Sequence, residues 1–254
     1  MKVYVSLTSI FQNQVELLKT LQSLLSQTLL PDAIFLYLSV EPYLMDTGFG
    51  SEKNISNSEL RSYLEETKLI NVKWVKNTGP FRKLLPLLEE KWKEDCVIIT
   101  VDDDTYYHPK LLENYVGDYN SQKKCVINYR GFTFNGKNLD NINYSKRETP
   151  LEKSLYNFPT GKGGVLYHPK FFHKTDRLIF DESIYLDACN GADDIWFYFV
   201  RICNKVECVL KNKSYMTKDN TSSYALFRNV NIGSANTYKM RNCVKILKSK
   251  GYLI

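Results

Sequence analysis

The sequence has few of the residues and motifs on which several common functional sites depend. Its 254 residues include only three histidines, too few for a zinc site built on imidazole ligands. None of the six cysteines belongs to a CxxC pair, and several lie in apolar segments, so we expect reduced, mostly buried thiols. A glycine-rich phosphate loop and a GxGxxG motif are both missing, which disfavours the nucleotide-binding folds that these motifs define.

Long apolar segments are missing as well. No uninterrupted apolar stretch approaches the roughly 20 residues that span a bilayer, and residues 1–10 alternate as a strand does instead of forming the apolar core of a signal peptide. We therefore expect a cytoplasmic protein. The 34 basic and 28 acidic residues give a net charge of +6, a mild bias that permits an anionic partner without identifying one.

The residues that are present indicate an α/β fold. An apolar content of 43% excludes wholesale disorder. Over the first 130 residues, strand-like and helix-like apolar patterns alternate with short connections, which predicts a mostly parallel central sheet flanked by helices. The predicted strands cover 2–8, 33–40, 72–75, 97–101 and 126–129, and the predicted helices cover 14–26, 59–66, 82–92, 110–119 and, further along, 193–204.

Three consecutive carboxylates, in the segment VIITVDDDTYYHP, directly follow the strand predicted over 97–101. Ligands of open α/β sheets bind beyond the carboxyl ends of the strands. In an extended segment Asp102 and Asp104 point the same way and Asp103 points the opposite way. That spacing suits two carboxylates around one Mn²⁺ or Mg²⁺ ion, whose coordination a diphosphate could complete. A solvated acidic turn in which Asp104 begins a helix cap is the alternative.

Two further segments are candidates for the same site. Asp193 and Asp194, in GADDIWFYFVRICN, begin a predicted helix, where they could form an N-cap pair or supply a base to an acceptor hydroxyl. In FPTGKGGVLYHP, Gly161, Gly163 and Gly164 allow a ligand to approach the main chain closely. A turn that enters a strand explains these glycines nearly as well.

Basic residues provide weaker signals. Arg82 and Lys83 lie at a predicted helix start, where cations oppose the helix dipole, and this hints at an anionic ligand or a solvated turn. The last helix, near 239–250, is basic with an apolar face over 243–247. It could dock on anionic lipid headgroups or be an ordinary amphipathic surface helix.

In their order along the chain, these segments resemble the GT-A glycosyltransferases, most closely bacterial family-2-like enzymes of surface polysaccharide biosynthesis, as of lipopolysaccharide or capsule. The resemblance rests on VYVSLTS, GPFRKLLPLL, VIITVDDDTYYHP, FPTGKGGVLYHP and ADDIW and covers roughly residues 2–205. It implies a Rossmann-like GT-A catalytic domain over 1–210, with a nucleotide-binding half over 1–130 and an acceptor half over 131–210. A helical C-terminal extension over 211–254 would follow.

The resemblance also implies roles for individual residues. Asp104 would be the main ligand of a Mn²⁺ or Mg²⁺ ion, with Asp102 contacting the ion and the donor and Asp103 assisting. The other residues expected at the nucleotide-sugar donor are Thr8, Glu41 and Lys83. The residues expected on the acceptor side are Gly163, Gly164 and Trp196. Asp194 would be the catalytic base, although the change from Glu to Asp at Asp193 leaves open which of the two acids acts.

The expected function is metal-dependent, inverting transfer of a sugar from a nucleotide diphosphate donor, UDP-sugar by default, to a hydroxyl of a glycan or lipid-linked acceptor. A lipid-linked acceptor would fit peripheral contact with the inner face of the cytoplasmic membrane. The alternatives are a metal-dependent nucleotidyltransferase or phosphotransferase and a non-catalytic carbohydrate-binding protein of the same fold. Nucleic-acid binding is disfavoured, because the basic residues are dispersed among acids.

Overall fold

Twelve strands and seven α-helices are described in a computed structural model that covers residues 1–122, 124–134, 139–213, 216–219, 223–224, 229–231 and 233–253. The strands are β1 (Lys2–Thr8), β2 (Ala33–Leu38), β3 (Ile70–Trp74), β4 (Cys96–Thr100), β5 (Thr105–Tyr107), β6 (Val126–Asn128), β7 (Gly131–Thr133), β8 (Lys153–Ser154), β9 (Asn157–Pro159), β10 (Val165–Tyr167), β11 (Cys208–Leu210) and β12 (Thr217–Asp219). The helices are α1 (Gln14–Leu25), α2 (Ser58–Glu66), α3 (Leu85–Glu90), α4 (Leu111–Ser121), α5 (Glu182–Cys189), α6 (Asp193–Cys203) and α7 (Ala235–Ser249).

The central sheet has eight strands in the order β3-β2-β1-β4-β10-β6-β11-β8. β1 pairs in parallel with β2 and β4, and β3 pairs in parallel with β2. β2 and β4 are almost wholly apolar and buried along their length, as expected for parallel strands that helices cover on both faces. This arrangement confirms the predicted α/β class.

The second half of the sheet is mixed. β10 runs antiparallel to both of its neighbours, with Leu166 opposite Ile99 of β4 and Ile127 of β6. β11 is parallel to β6, and β8 closes this edge in the antiparallel sense. The sequence patterns did not predict the strands after residue 130, because strands of two or three residues are too short to show an alternation.

The helix predicted over 82–92 is wrong in its first turn. A 3₁₀ helix, Gly79–Lys83, comes first, and α3 begins only at Leu85. Pro86 lies in the first turn of α3 and lacks an amide hydrogen. It therefore cannot donate a helical hydrogen bond to the preceding turn, and the helix starts anew at this point. The break leaves Arg82 and Lys83 buried instead of on a solvated helix start.

The apolar face of the last helix is used inside the protein. Cys243, Val244 and Leu247 of α7 are buried where this helix packs on α5 and α6. The apolar residues that suggested a lipid-facing surface therefore belong to the core. Within the described ranges, no helix combines the length and the apolar character needed to cross a membrane.

Arg201 joins α6 to the second half of the sheet. Its side chain is buried, and its guanidinium donates to the carbonyls of Leu155 and Asn157, both at 2.8 Å, and of Val206. Three main-chain carbonyls thus obtain donors from one buried side chain.

Replacing Arg201 with Ala should lower the free energy of unfolding by about 3 kcal/mol, since it opens a void and leaves buried carbonyls without donors. Urea unfolding followed by circular dichroism would measure this change. The control is Arg61→Ala on the exposed side of α2, which should change the stability by under about 0.5 kcal/mol. Equal stabilities of the two variants would contradict this account of Arg201.

Candidate active site

A cavity of about 710 Å³ lies at the edge of the sheet where β1 and β4 end. The start of α6 and the loop that enters β10 complete its walls. Because β10 is antiparallel to β4, the residues that precede β10 reach the same edge as the residues that follow β4. The cavity is lined by these residues expected from the sequence: Thr8, Lys83, Asp102, Asp103, Asp104, Asp193 and Asp194.

Lys83 lies between the two acidic segments. Its Nζ atom is 2.9 Å from Oδ1 of Asp102 and 2.9 Å from Oδ2 of Asp193. The lysine side chain is only 8% exposed, so these carboxylates, and not water, stabilise its positive charge. Burial opposes the ammonium, but the carboxylates outweigh burial and hold the pKa of Lys83 well above its usual range. Lys83 therefore stays charged and connects acids that are about ninety residues apart in the sequence.

The backbone of Gly161 lies against this ion pair. A β-carbon at Gly161 would lie 2.5 Å from Nζ of Lys83 and 3.1 Å from Oδ1 of Asp102, so no larger residue fits without displacing them. The Gly161 N–H donates to Oδ2 of Asp194 at 3.0 Å. This bond orients the Asp194 carboxylate, which is half-buried at the cavity wall.

Backbone contacts fix the conformation of the acidic turn after β4. The Asp102 N–H donates to the hydroxyl of Tyr107 at 2.8 Å, and the hydroxyl of Thr20 donates to the Asp103 carbonyl at 2.8 Å. The Asp103 carboxylate accepts from Ser9 and, at 3.1 Å, from the amide of Asn13. Asp103 is thus anchored to the chain after β1, and its role in the turn is at least partly structural.

The pKa values of Asp104 and Asp194 are both raised. Burial, followed by the repulsion of Asp103 and Asp102, raises the pKa of Asp104 to about 7. Burial and the charge of Asp193 raise the pKa of Asp194 to about 7. A cluster of carboxylates with raised pKa values is typical of a site that awaits a cation or a proton.

Four of the residues expected at the site do not line the cavity. Gly163 and Gly164 lie behind the wall, where both carbonyls accept from the hydroxyl of Tyr115. Trp196 is fully buried and its indole donates to the Ile179 carbonyl at 2.9 Å. The expected place of all three in the lining of the cavity is therefore corrected. Of the glycines in 160–164, Gly161 is the one that reaches the cavity.

Glu41 is the fourth of these residues. Its carboxylate accepts from the backbone of Asn77, away from the cavity. The acid that reaches the cavity from the loop after β2 is Asp46, five residues later, which the sequence reasoning missed. Asp46 accepts from Arg82 at 3.1 Å, from Asn77 at 3.0 Å and from the Gly48 N–H at 2.9 Å.

One sequence signal could have identified Asp46. Gly48 adopts a positive φ of 75°, and a β-carbon there would lie 2.4 Å from the Val40 carbonyl. The glycine in this loop therefore indicates that the loop folds back against the end of β2. When the loop folds back in this way, Asp46, two residues before Gly48, comes to lie at the end of the strand.

Another part of the cavity wall is cationic and aromatic. The Arg147 guanidinium carbon lies 4.4 Å from the ring centre of Phe132 and 4.7 Å from that of Tyr144. Arg130 donates to the hydroxyl of Thr160 at 2.8 Å. Among the residues described, neither guanidinium has a carboxylate within 4 Å. The cavity wall thus carries, besides its carboxylates, two guanidinium groups without a carboxylate partner among the described residues.

The donor set at the acidic end fits a Mn²⁺ or Mg²⁺ ion shared with a diphosphate. Asp104 has no basic partner within ion-pair distance in the described part of the chain, and Asp102 gives one oxygen to Lys83 and keeps the other. No group of three or more acidic, histidine or cysteine side chains that could hold a metal occurs in that part. This set matches a magnesium-type site, which takes one or two carboxylates and completes its coordination with phosphate and water.

Replacing Asp104 with Asn should stabilise the ligand-free protein, since it removes a half-buried charge that neighbouring carboxylates repel. The pKa of Asp104 is about 7 in the folded protein, above its value in the unfolded chain. The ionised carboxylate therefore lowers the free energy of unfolding by its full amount above pH 7, and this loss vanishes towards about pH 4, where the group is protonated in both states. We expect a gain of about 1–2 kcal/mol at pH 8, measured by urea unfolding with a chelator present. The matched control is Asp187→Asn, on the exposed side of α5. A gain that did not shrink at low pH would argue against this origin.

Comparison with known proteins finds similarity in structure alone. No protein-family model and no curated protein matches the sequence. The fold is similar to that of S. aureus TarS 1-349 in complex with UDP-GlcNAc, with a TM-score of 0.58 and 12% identity over 97% of this chain and 67% of that chain. For the complex of TarS 1-349 with UDP the TM-score is 0.53 at 13% identity, over 84% of this chain and only 58% of that chain. At this identity the likeness shows a shared fold.

Proposed function

We propose that this protein is a glycosyltransferase that moves a sugar from a nucleotide diphosphate donor, UDP-sugar by default, to a hydroxyl of a glycan or lipid-linked acceptor. The observation that carries the proposal is the meeting of residues 102–104 and 193–194 in one cavity around Lys83. The position of this cavity at the carboxyl edge of parallel strands suits a nucleotide. Structures of similar fold bind UDP and UDP-GlcNAc, which supports the same donor class here.

Asp104 and the free oxygen of Asp102 would hold the Mn²⁺ or Mg²⁺ ion. When bound, such an ion supplies positive charge that stabilises a departing diphosphate. Lys83 pairs with the other Asp102 oxygen and with Asp193 and offsets one of their two negative charges, so it reduces the repulsion that the donor phosphates would otherwise meet. Thr8, the last residue of β1, and Asp46, in the loop after β2, also line the cavity and would border the nucleoside.

Asp194 is the better candidate for the catalytic base. Asp193 is 6% exposed and its charge is taken up by Lys83, whereas Asp194 faces the cavity and accepts only the Gly161 N–H among the bonds described. With a pKa raised to about 7, the Asp194 carboxylate can accept a proton from an acceptor hydroxyl at neutral pH. The deprotonated oxygen would attack the anomeric carbon in a single displacement, with inversion, as the bond to the diphosphate breaks.

Replacing Asp194 with Asn should lower the transfer rate by at least about a hundredfold, because the amide cannot accept the proton. Donor affinity should change less than about threefold, since Asn is nearly isosteric and can still accept the Gly161 N–H. The measurements are release of UDP from UDP-GlcNAc and other UDP-sugars, and UDP binding by calorimetry with Mn²⁺ present. Asp187→Asn is the control with the same chemical change outside the cavity. An Asp194→Asn variant with full activity would show that Asp194 is not the catalytic base.

Replacing Asp104 with Ala should eliminate the Mn²⁺-dependent part of UDP binding while leaving the protein folded. A thermal-shift titration of UDP with and without Mn²⁺ would measure this, because a bound ligand raises the melting temperature by mass action. Unaltered Mn²⁺-dependent affinity would refute the metal role of Asp104. Stabilisation by nucleoside triphosphates but not by nucleotide sugars would favour a nucleotidyltransferase instead.

A further inference from the structure

Two of the six cysteines make a direct sulfur–sulfur contact. Cys189 is the last residue of α5, Cys243 lies in the middle of α7, and their Sγ atoms are 3.0 Å apart. Both thiols are free and fully buried where α5 packs against α7. Within the described ranges no other two cysteine sulfurs are in hydrogen-bond contact. Because the two residues are 54 positions apart in the sequence, the contact is a product of the tertiary fold.

The geometry of this contact suits a disulfide bond. The sulfur atoms of a disulfide lie about 2.05 Å apart, so these two need to approach by only about 1 Å. Such a movement is small compared with the roughly 8–10 Å between the axes of packed helices, and the two helices are already in contact. Neither thiol lines the cavity, so the candidate chemistry of the site uses neither of them.

The residues after Cys189 lead directly to the candidate acids. Gly191, which lines the cavity, accepts a hydrogen bond through its carbonyl from the amide of Asn231 at 2.9 Å. α6 then begins at Asp193. A cross-link at Cys189 would therefore fasten the connection between α5 and α6, and with it the start of the helix that carries both acids, to α7.

An oxidant can reach the thiols when the end of α5 opens. Helix ends fray more readily than helix centres, and the chain leaves α5 through Gly191, whose φ is 73°. Burial, followed by the contact with Cys243, raises the pKa of the Cys189 thiol well above its usual range, and the ammonium of Lys239 on α7 opposes this rise. Since the thiolate is the reactive form, oxidation should be slow and should need an oxidant that persists.

We propose that Cys189 and Cys243 form a redox site, at which a peroxide oxidises the two thiols to a disulfide that locks α7 onto α5. The sulfur of one cysteine attacks a peroxide oxygen and the O–O bond breaks, which leaves a sulfenic acid; with hydrogen peroxide, the departing hydroxide takes up the thiol proton as water. The second sulfur then attacks the sulfenic sulfur, and the S–S bond forms as a second water leaves. The thiols lose two electrons, hydrogen peroxide is reduced to two waters, and a thiol reductant reverses the cross-link.

The test treats the whole protein with hydrogen peroxide, removes the peroxide with catalase, and divides the sample into portions with and without dithiothreitol. A digest without reductant should contain a peptide pair joined through Cys189 and Cys243. The melting temperature should be higher by about 5 °C or more without dithiothreitol, because the cross-link restricts the unfolded chain over a long loop. Dithiothreitol reduces a disulfide but leaves oxidised methionines as they are, so the difference between the portions reports the cross-link alone.

Alanine variants identify the two sulfurs. Cys189→Ala and Cys243→Ala should each abolish the temperature difference, whereas Cys203→Ala, the same change at a buried cysteine of α6, should retain it. Each variant is compared with its own reduced portion, so any loss of stability caused by the substitution itself cancels.

The outcomes that would overturn the proposal can be read on the unmodified protein as well as on the variants. They are thiols that stay free under prolonged peroxide, oxidation of either thiol to a sulfinic or sulfonic acid without a cross-link, a cross-link that joins other cysteines, and a disulfide that lowers the melting temperature. None of these measurements requires a nucleotide sugar, so the redox site and the proposed glycosyltransferase function can fail independently of each other.

Discussion

The contact of one buried ammonium with two carboxylates holds the candidate site together. Lys83 comes from a 3₁₀ helix after β3, Asp102 from the turn after β4, and Asp193 from the start of α6. An ion pair withdrawn from water stabilises a structure only when every charge finds a partner. Loss of either acid would leave an uncompensated charge, so the positions of the three segments depend on one another. Gly161 approaches closely enough to close this cluster from the side of β10.

The parallel half of the fold could be predicted from the sequence, and the mixed half could not. β1 and β2 are short, nearly continuous apolar segments, as buried parallel strands are, and their predicted limits lie close to those observed. The identities of the acidic residues at the site were also predictable, since Asp102 to Asp104 directly follow a strand. Which glycine approaches a ligand, and whether Glu41 or Asp46 reaches the cavity, depends on how loops fold back over distant residues. No local period encodes such contacts.

The arrangement of charges in the cavity could not be read from composition. A net charge of +6 describes the whole chain, whereas the cavity wall brings together the acids after β4 and at the start of α6 with the guanidinium groups of Arg82, Arg130 and Arg147. The carboxylates with raised pKa values lower the stability of the unliganded fold, a cost that natural proteins accept at functional sites. The net charge of +6 is therefore less informative about the site than the positions of the individual charged residues.

The reversed direction of β10 has an effect on how such a protein can diversify. In a purely parallel sheet every loop at the functional edge follows a strand, whereas here the loop over 160–164 precedes one. The connections between the strands that lead into this loop can therefore change in length while β1 to β4, which position Asp102 to Asp104, keep their register. One wall of the cavity can thus vary without any change in the strands that hold the acidic turn.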